Sequence, residues 1–384
     1  MNRTLIPKTY SYSGTRFISG YKGRLNTLAL SIISVLILSA ATLVAQDRDE
    51  NQSFLPTAVR SIATVPSNGD VNPYGVAFVP NNLTSQGKGM LHPGDILVSN
   101  FNNNQNLQGT GTTIVRVPSQ GKLSVFFQAQ PGVGLSTALN VLKSGYVLVG
   151  NFPSADGTCA TAQSGSILVI NRYGQLVGSI SDQSFINGPW DSAVLDQGNR
   201  VKLFIANGLT GTISRLNLVI GPSGPYVESA MQIGSGYMHQ CDPVTFVDAP
   251  TGLVYNPKND VLYVASTVDN KVFALHDAAD IDKDEGTGRV IYEDNKHLHG
   301  ALAMTMAPNG HLLVSNNDAI NPDPAQPSEI VEFTVGGKFV KEISVDPATG
   351  GSFGLNVASA HDIATFAAVD DNANVLLIWS LSLE

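Results

Sequence analysis

The sequence predicts an all-β fold: a six-bladed β-propeller of four-stranded antiparallel blades, with the ring closed by pairing of the N- and C-terminal strands. Three observations lead to this prediction: few charged residues, a hydrophobic pattern that recurs six times, and an incomplete last unit. Charged residues are 14% of the 384 residues, compared with about 25% in an average soluble protein. Surface helices need charged residues on their wet face, so this composition favours strands and tight turns.

Short apolar or alternating runs recur along the chain, each ended by Pro, Asn, Asp or Gly, which is the pattern of a strand followed by a turn. The first strand of each unit lies in the runs 74–82, 135–145, 190–199, 251–260, 300–310 and 353–362. A second strand follows, in the stretches "DILVSN", "YVLVGN", "KLFIAN", "VLYVAS", "HLLVSN" and "IATFAAV". A third strand follows each of these, and most units have a fourth, as in "GQLVGSI" and "GKFVKEI".

The spacing of the units indicates the architecture. The predicted second strands end at Asn100, Asn151, Asn207, Ser266, Asn316 and Val369, in steps of 51, 56, 59, 50 and 53 residues. Repeated four-stranded units at this period are typical of a propeller, since each sheet has two apolar faces that only its neighbours can bury. The last unit stops at its third strand, so we expect the segment 58–66 to supply the fourth and cover the open edge.

The first 45 residues differ from the rest of the chain. Five basic residues and no acidic residue occur there, and the stretch from Leu28 to Ala45 is apolar and uncharged. This order indicates an export signal; the alternative is an uncleaved membrane anchor, because the run is near the lower length of a spanning helix. We expect residues 1–45 to be this segment, 46–54 a short linker and 55–384 one propeller domain, exported to the periplasm, the medium or the cell surface.

The charge of the chain limits the classes of binding partner, and its cysteine content bears on the compartment. Without the five basic residues of the first segment, 17 of the 22 basic residues remain against 31 acidic residues, a net charge of −14. Nucleic acid is not an expected partner, because its binding depends on basic residues that neutralise phosphates. A membrane contact is expected only through an uncleaved N-terminal segment. Cys159 and Cys241 predict one disulfide in an oxidising compartment, with two free thiols as the alternative.

The repeated pattern P-x-G-x-A-x-x-P-x-G-x-L-x-V-S-N resembles NHL-repeat propellers and, more distantly, the six-bladed SMP-30/gluconolactonase and strictosidine-synthase-like propellers. The resemblance covers 55–384 and implies an architecture rather than an activity, since this architecture hosts lactonases, lyases and binding modules. The resembling lactonases hold a divalent cation with a Glu, two Asn and an Asp around the channel, and the Glu starts the first inner strand. The matching stretch here, "VNPYGVAF" at 71–78, has no Glu.

Asp191 is the only acidic residue near the start of a predicted inner strand. With the carboxamides of Asn151 and Asn207 it can hold Ca²⁺ or another divalent cation weakly, because hard cations accept carboxylate and amide oxygens. Asp191 and His299 are also the candidate catalytic residues, although no second group for general base work accompanies Asp191. The sequence therefore favours a binding protein without an obligatory cofactor over an enzyme.

The predicted second strands place carboxamides at equivalent positions, so Asn100, Asn151, Asn207 and Asn316 are expected to ring the mouth of the channel and bind a ligand. The alternative is that each caps its own turn. The same face carries the loops 102–112, 153–166, 234–250 and 317–328, and we name it the long-loop face. Tyr74 and Trp190 begin inner strands, where they form an aromatic floor for a ligand or fill the channel end.

Two further patterns have a functional and a structural interpretation. His297 and His299 are two residues apart, and with His239 they can bind Zn²⁺; the alternative is that they only form hydrogen bonds. The stretch 276–288 has acidic residues at 280, 282 and 284, as in a calcium loop. Its Gly comes one place late and Ile291 stands where the bidentate Glu belongs, so a solvated acidic turn is favoured.

The sequence contains no nucleophile elbow, zinc-protease, dithiol, phosphate-loop or dinucleotide motif. We therefore expect a binding platform or scaffold that recognises a small polar molecule, a glycan or an exported protein at the long-loop face. The alternative is a metal-assisted hydrolase or lyase of the lactonase type, with its site at the mouth of the central channel.

Overall fold

A computed structural model describes residues 52–56, 60–84 and 88–383, all within the unit Asn51–Glu384. The predicted export segment and most of the predicted linker lie outside the described residues. Among the described residues, no helix has the length and apolar character needed to cross a membrane.

The strands form six four-stranded sheets, the blades, and one small hairpin. Blade 1 contains β2 (Val71–Phe78), β3 (Ile96–Asn102), β4 (Thr113–Val117) and β5 (Ser124–Gln128). Blade 2 contains β6 (Leu135–Val141), β7 (Val147–Asn151), β8 (Ser166–Ile170) and β9 (Leu176–Ile180). Blade 3 contains β10 (Pro189–Asp196), β11 (Arg200–Asn207), β12 (Thr212–Gly221) and β13 (Gly224–Gly234).

The remaining blades repeat this order. Blade 4 contains β16 (Pro250–Asn256), β17 (Val261–Ser266), β18 (Lys271–His276) and β19 (Arg289–Glu293). Blade 5 contains β20 (Ala301–Met306), β21 (Leu312–Asn316), β22 (Glu329–Phe333) and β23 (Phe339–Ser344). Blade 6 contains β24 (Ser352–Ala360), β25 (Ile363–Asp370), β26 (Val375–Ser382) and β1 (Arg60–Ala63). The hairpin is β14 (Gln240–Asp242) and β15 (Phe246–Asp248), and Cys159–Thr161 forms a 3-10 turn.

The ring closes as predicted. The inner strands β2, β6, β10, β16, β20 and β24 contact one another in that order, and β24 contacts β2. The first described strand, β1, pairs antiparallel with β26, from Arg60 with Ile378 to Ala63 with Val375. Pairing between the two ends of the chain therefore completes blade 6. The six-bladed, four-stranded propeller predicted from the repeat is confirmed.

Two of the predicted ends of second strands are wrong by one or two residues. In blade 1, β3 ends at Asn102 and not at the predicted Asn100. The second strand of blade 6 was predicted to end at Val369, but Asp370 pairs with Ser352 at the start of the inner strand. The same pairing joins Asn100 to Pro73 in blade 1 and Asn207 to Pro189 in blade 3. The apolar run ends before the strand does, because the register is set by the partner strand and not by hydrophobicity alone.

The core consists of apolar clusters between neighbouring blades. Strands such as β21 and β22 are buried along their whole length, because both faces of a blade pack against other sheets. Phe54, the last residue of the predicted linker, is already part of this core. Its backbone N–H and that of Leu55 donate to the Glu332 carboxylate at 2.8–3.0 Å, which ties this segment to blade 5.

Candidate functional site

The central channel is closed at the end where the inner strands begin. Six aromatic side chains, all at most 7% exposed, pack together there: Tyr74, Phe101, Phe152, Trp190, Phe246 and Phe353. We call this group the aromatic layer. The Tyr74 ring stacks on Phe101 at 4.7 Å and on Phe353 at 4.5 Å, and the Trp190 ring lies 6.2 Å from Phe246. Tyr74 and Trp190 thus fill the channel end, which is the structural alternative considered for them.

The hairpin β14–β15 covers the aromatic layer from the long-loop face. Its Phe246 has a φ of 72° and places its ring against Phe101, Phe152 and Trp190. A disulfide joins Cys241 in this hairpin to Cys159, with a Cα–Cα distance of 5.4 Å. These two cysteines are the predicted pair. The bridge connects the loop of blade 2 to the segment between blades 3 and 4, and so holds the hairpin over the ring.

Beyond the aromatic layer the channel widens into a cavity of about 190 Å³ that touches the inner strands of all six blades. Its polar lining includes Thr137, Asn140, Asp191, Ser192, Thr305 and Asn356. The inner strands are buried at their first residues and half-buried or exposed at their last residues, as in β10, β16 and β24. The cavity therefore opens on the face opposite the long-loop face.

Asp191 occupies a position where the other blades have almost no side chain. Equivalent positions on the six inner strands can be found from their pairing with the second strands. The reference residues on the second strands are Val98, Val149, Ile205, Val264, Val314 and Ala368, and the inner-strand residues that pair with them lie at one level of the ring. The inner-strand residues just before that level are Gly75, Ala138, Asp191, Gly252, Ala303 and Gly354. A Cβ on Gly252 or Gly354 would overlap a backbone carbonyl of the next blade. Asp191 is therefore the one carboxyl in a ring of Gly and Ala.

The carboxyl of Asp191 is held but not neutralised. Its Oδ2 accepts the backbone N–H of Leu253 in blade 4 at 2.7 Å. Burial raises its pKa to about 7, and the backbone N–H groups of Leu253 and Ser192 oppose this shift only in part. Among the described residues, no basic side chain forms an ion pair with it. A carboxyl with this pKa in a cavity can bind a cation or exchange a proton near neutral pH.

The four predicted asparagines do not line this cavity. Each Nδ2 donates to a carbonyl of the chain that leads into its own blade, as in the bonds from Asn100 to Thr64, Asn151 to Val133, Asn207 to Phe185 and Asn316 to His297. Three of the four are buried and Asn151 is half-buried. The structure therefore separates Asn151 and Asn207 from Asp191, and the calcium set built on those three residues is not brought together. Ligand binding by the asparagines stays a prediction.

Sequence reasoning missed two acidic residues that act on the aromatic layer from the long-loop face. Burial, and next the charges of Asp371 and Asp248, raise the pKa of Tyr74 well above its usual value. Burial raises the pKa of Asp371 to about 8. Asp371 is the first residue after β25, the second strand of blade 6, and Asp248 is the last residue of β15, just before the first strand of blade 4. Had the second strand of blade 6 been ended at Asp370 in the sequence analysis, Asp371 would have followed as the first residue of the loop.

The histidines face different partners. His297 Nδ1 lies 2.8 Å from Glu342 Oε2 and its ring stacks on Phe339, while His299 Nδ1 contacts the Asn321 carbonyl. His239 Nδ1 lies 3.2 Å from the carbonyl of Tyr237. Within the described ranges, no three His, Cys, Asp or Glu side chains are arranged to hold a metal ion. These histidines therefore form hydrogen bonds, which was the alternative to Zn²⁺ binding. His299 does not line the cavity.

The acidic stretch 276–288 uses its carboxylates in separate interactions. Asp280 pairs with Lys202 Nζ at 2.7 Å. Asp284 accepts Gln232 Nε2 at 2.7 Å and the backbone N–H of Gly286 at 2.8 Å. The carboxylates therefore serve different neighbours, as expected of a surface turn.

Comparison with known proteins supports the fold. No family model matches the chain, and no curated protein matches it. Solved structures do: a gluconolactonase from Xanthomonas campestris has 13% identity and a TM-score of 0.52, covering 84% of this chain and 90% of that chain. A glucose dehydrogenase has 16% identity and a TM-score of 0.50, covering 86% and 100%. The β-propeller domain of Cps50 (Swd1) from Myceliophteria thermophila has 10% identity and a TM-score of 0.50, covering 85% and 100%.

At these identities the likeness shows the fold alone. The expected resemblance to gluconolactonase-like propellers therefore holds at the level of architecture, and no match supports the NHL-repeat assignment. The fold and the site define the class of this chain: a six-bladed β-propeller with a cavity in its central channel, closed by aromatic side chains at one end.

Proposed function

We propose that this protein is an exported binding propeller that takes a small ligand with a cationic or hydrogen-bond-donating group into its central channel. The observation that carries the proposal is the single carboxyl of Asp191 in a ring of Gly and Ala, on the wall of a cavity of about 190 Å³. A propeller scaffold does not need this carboxyl, because five blades pack without it. A buried charge without a basic partner is costly unless a ligand compensates it.

The surroundings of Asp191 support a small cationic ligand. Around the carboxyl the cavity offers the hydroxyl of Thr305 and the carboxamides of Asn140 and Asn356, beside apolar side chains such as Leu139. Small-molecule sites commonly combine an apolar wall with a few placed polar groups. The predicted mature net charge of −14 further favours cations over anions. The ligand reaches the site from the face opposite the long-loop face.

The disulfide between Cys159 and Cys241 supports export, because structural disulfides persist in oxidising compartments. It agrees with the basic and apolar segment at the start of the chain, which is the basis for proposing a periplasmic, secreted or surface location. Recognition of a glycan or a protein partner at the long-loop face stays a second, sequence-based part of this proposal.

The test is calorimetric titration of the full chain at pH 8 with choline, ethanolamine and putrescine. We expect at least one of them to bind the wild type, and Asp191→Asn to weaken that binding about tenfold or more, since a charge-assisted contact is lost. Asp182→Asn is the matched control: it removes one exposed negative charge from the loop before β10 and should leave the affinity unchanged. Equal affinity of wild type and Asp191→Asn, or no binding of any probe, contradicts the proposal.

A hydrolase or lyase of the lactonase type is the second candidate, and the raised pKa of Asp191 favours it. A carboxyl with a pKa near the working pH is suited to general base catalysis. The same protein samples assayed on sugar lactones, with and without added divalent cations, test this candidate. If the wild type hydrolyses a lactone and Asp191→Asn does not, the channel is an active site. If no lactone is hydrolysed, only the binding function remains.

A further inference from the structure

Blade 5 breaks a pattern that blades 1, 2 and 3 share on the long-loop face. In those blades an asparagine at or near the end of the second strand forms a hydrogen bond with a hydroxyl at the start of the third strand. The pairs are Asn100 with Thr113 at 3.2 Å, Asn151 with Ser166 at 3.0 Å and Asn207 with Thr212 at 3.2 Å. In blade 5 the partner of Asn316 is the carboxylate of Glu329, at 3.3 Å. A small neutral hydroxyl is thus replaced by a buried charge.

Three side-chain oxygen atoms in this part of blade 5 have no hydrogen-bond partner among the described residues. They are Oδ1 of Asn316, Oδ1 of Asp318 and Oε1 of Glu329. The side chains are 0%, 8% and 1% exposed, so bulk water does not serve them. A buried polar atom without a partner costs about 1–3 kcal/mol, and more when it is charged. When the carboxyls are ionised, all three atoms are acceptors, so whatever completes the cluster is a cation or a hydrogen-bond donor.

The two carboxylates lie within range of each other's charge. Burial, and to a smaller extent the charge of Asp318, raises the pKa of Glu329 to about 7. The other oxygen of Asp318, Oδ2, is fixed by the backbone N–H groups of Ser328 and Gly350, both at 2.9 Å. The carboxyl of Asp318 is therefore held in place with one oxygen left for another partner.

His299 is the basic group that acts on both carboxylates. Its Nε2 lies 3.9 Å from Glu329 Oε1, beyond hydrogen-bonding distance, and 3.2 Å from the Lys296 carbonyl. Its Nδ1 contacts the Asn321 carbonyl. One imidazolium balances at most one of the two carboxylates and donates to neither, so charge and acceptor atoms remain in excess.

We propose that Asn316, Asp318 and Glu329 form a binding site for a hard divalent cation of the Ca²⁺ type, set between strands β21 and β22 of blade 5. Carboxylate and amide oxygens are the ligands that Ca²⁺ takes in proteins, and water completes its coordination. The site is separate from the channel and from Asp191, and it involves no residue of the cavity. Its role is to compensate the buried charge and stabilise the loops 317–328 and 345–351 on the long-loop face.

The test uses the chelator-treated full chain, titrated with CaCl₂ by calorimetry, with thermal unfolding followed in the presence and absence of CaCl₂. We expect Ca²⁺ to bind the wild type and to raise its Tm by mass action. Glu329→Thr, which restores the residue type of blades 1 and 3, should weaken the binding about tenfold or more and remove the rise in Tm. Asp182→Asn, which removes an exposed negative charge outside both sites, is the matched control and should keep both effects.

Glu329→Gln and Asp318→Asn keep the shape of the cluster and serve if Glu329→Thr does not fold. Their loss of Ca²⁺ binding with intact folding supports the site. A wild type that neither binds Ca²⁺ nor gains stability from it, or variants that keep the wild-type response, overturn the proposal and assign the unpaired oxygens to buried water. A failure here leaves the channel proposal standing, because the two depend on different variants and different probes.

Discussion

The two ends of the central channel are built from the same six strands but differ in every property that matters for binding. At the long-loop face the aromatic layer is buried and covered by a disulfide-bonded hairpin. At the opposite face the inner strands are half-exposed and surround a cavity with a lone carboxyl. All six blades repeat the same four strands, so the difference between the two ends comes from the loops and side chains that individual blades add to the repeat.

Long loops do not by themselves mark the open end of a propeller. Long loops usually carry binding because a scaffold holds them, and here they also carry the rings that close the channel. Phe246 comes from such a loop and packs between rings from blades 1, 2 and 3. The closed end therefore supplies stability, and the open end supplies the cavity.

Trp190→Ala should break the closed end most severely. The Trp190 ring is fully buried and contacts Tyr74, Phe101, Phe152 and Phe246. Removing a buried aromatic ring typically costs about 3–5 kcal/mol of unfolding free energy, measured here by urea denaturation. Tyr226→Ala, at a side chain that is 54% exposed, is the control and should change stability little. A loss below about 1 kcal/mol for Trp190→Ala would mean that the aromatic layer does not hold the ring together.

Removing the disulfide should have the second largest effect. Cys159 and Cys241 are 82 residues apart, so the bridge restricts a large loop of the unfolded chain. The double variant Cys159→Ser, Cys241→Ser should lose about 2–4 kcal/mol of stability, and reductant should lower the Tm of the wild type but not of the variant. Binding at the open end should survive in the folded variant. Loss of that binding would show that the two ends are coupled.

The contribution of Asp191 to stability should depend on pH. Its folded-state pKa of about 7 lies above the usual 3.8, so the folded chain holds this proton more tightly than the unfolded chain. The associated stability is fully present below about pH 4 and is lost as pH rises through about 7. Between about pH 4 and about pH 7, the unfolding free energy of the wild type should therefore fall relative to that of Asp191→Asn, by up to about 1.4 kcal/mol per pH unit. Parallel stability curves for the two proteins would contradict a buried, ionisable Asp191.

Much of the fold could be predicted because each blade is formed by consecutive strands, so the repeat is visible along the sequence. Strand-and-turn patterns at steps of 50 to 59 residues gave the six blades, and the incomplete last unit gave the closing strand β1. The end of the second strand in blade 6 was placed one residue early, at Val369, because hydrophobicity does not show which residue a strand pairs with. The pairing of Asp370 with Ser352 corrects it.

The candidate site was predicted only in part. Asp191 was singled out because it is an acid at the start of an inner strand, and it does line the cavity. The asparagines were equally visible in sequence, yet each of them donates to a backbone carbonyl of the chain that leads into its own blade. Glu329 was not singled out at all, because a charged residue at a strand start is unremarkable until its neighbours are known.

The number of blades, the antiparallel four-stranded sheets and the closing of the ring followed from the sequence, because they depend on the period of the strand-and-turn pattern along the chain. Only the tertiary structure decided which end of the channel is closed, which side chains face the cavity and which buried oxygens lack a partner. These depend on contacts between blades that are far apart in sequence, and the same residue type is structural or functional according to what the neighbouring blade places beside it.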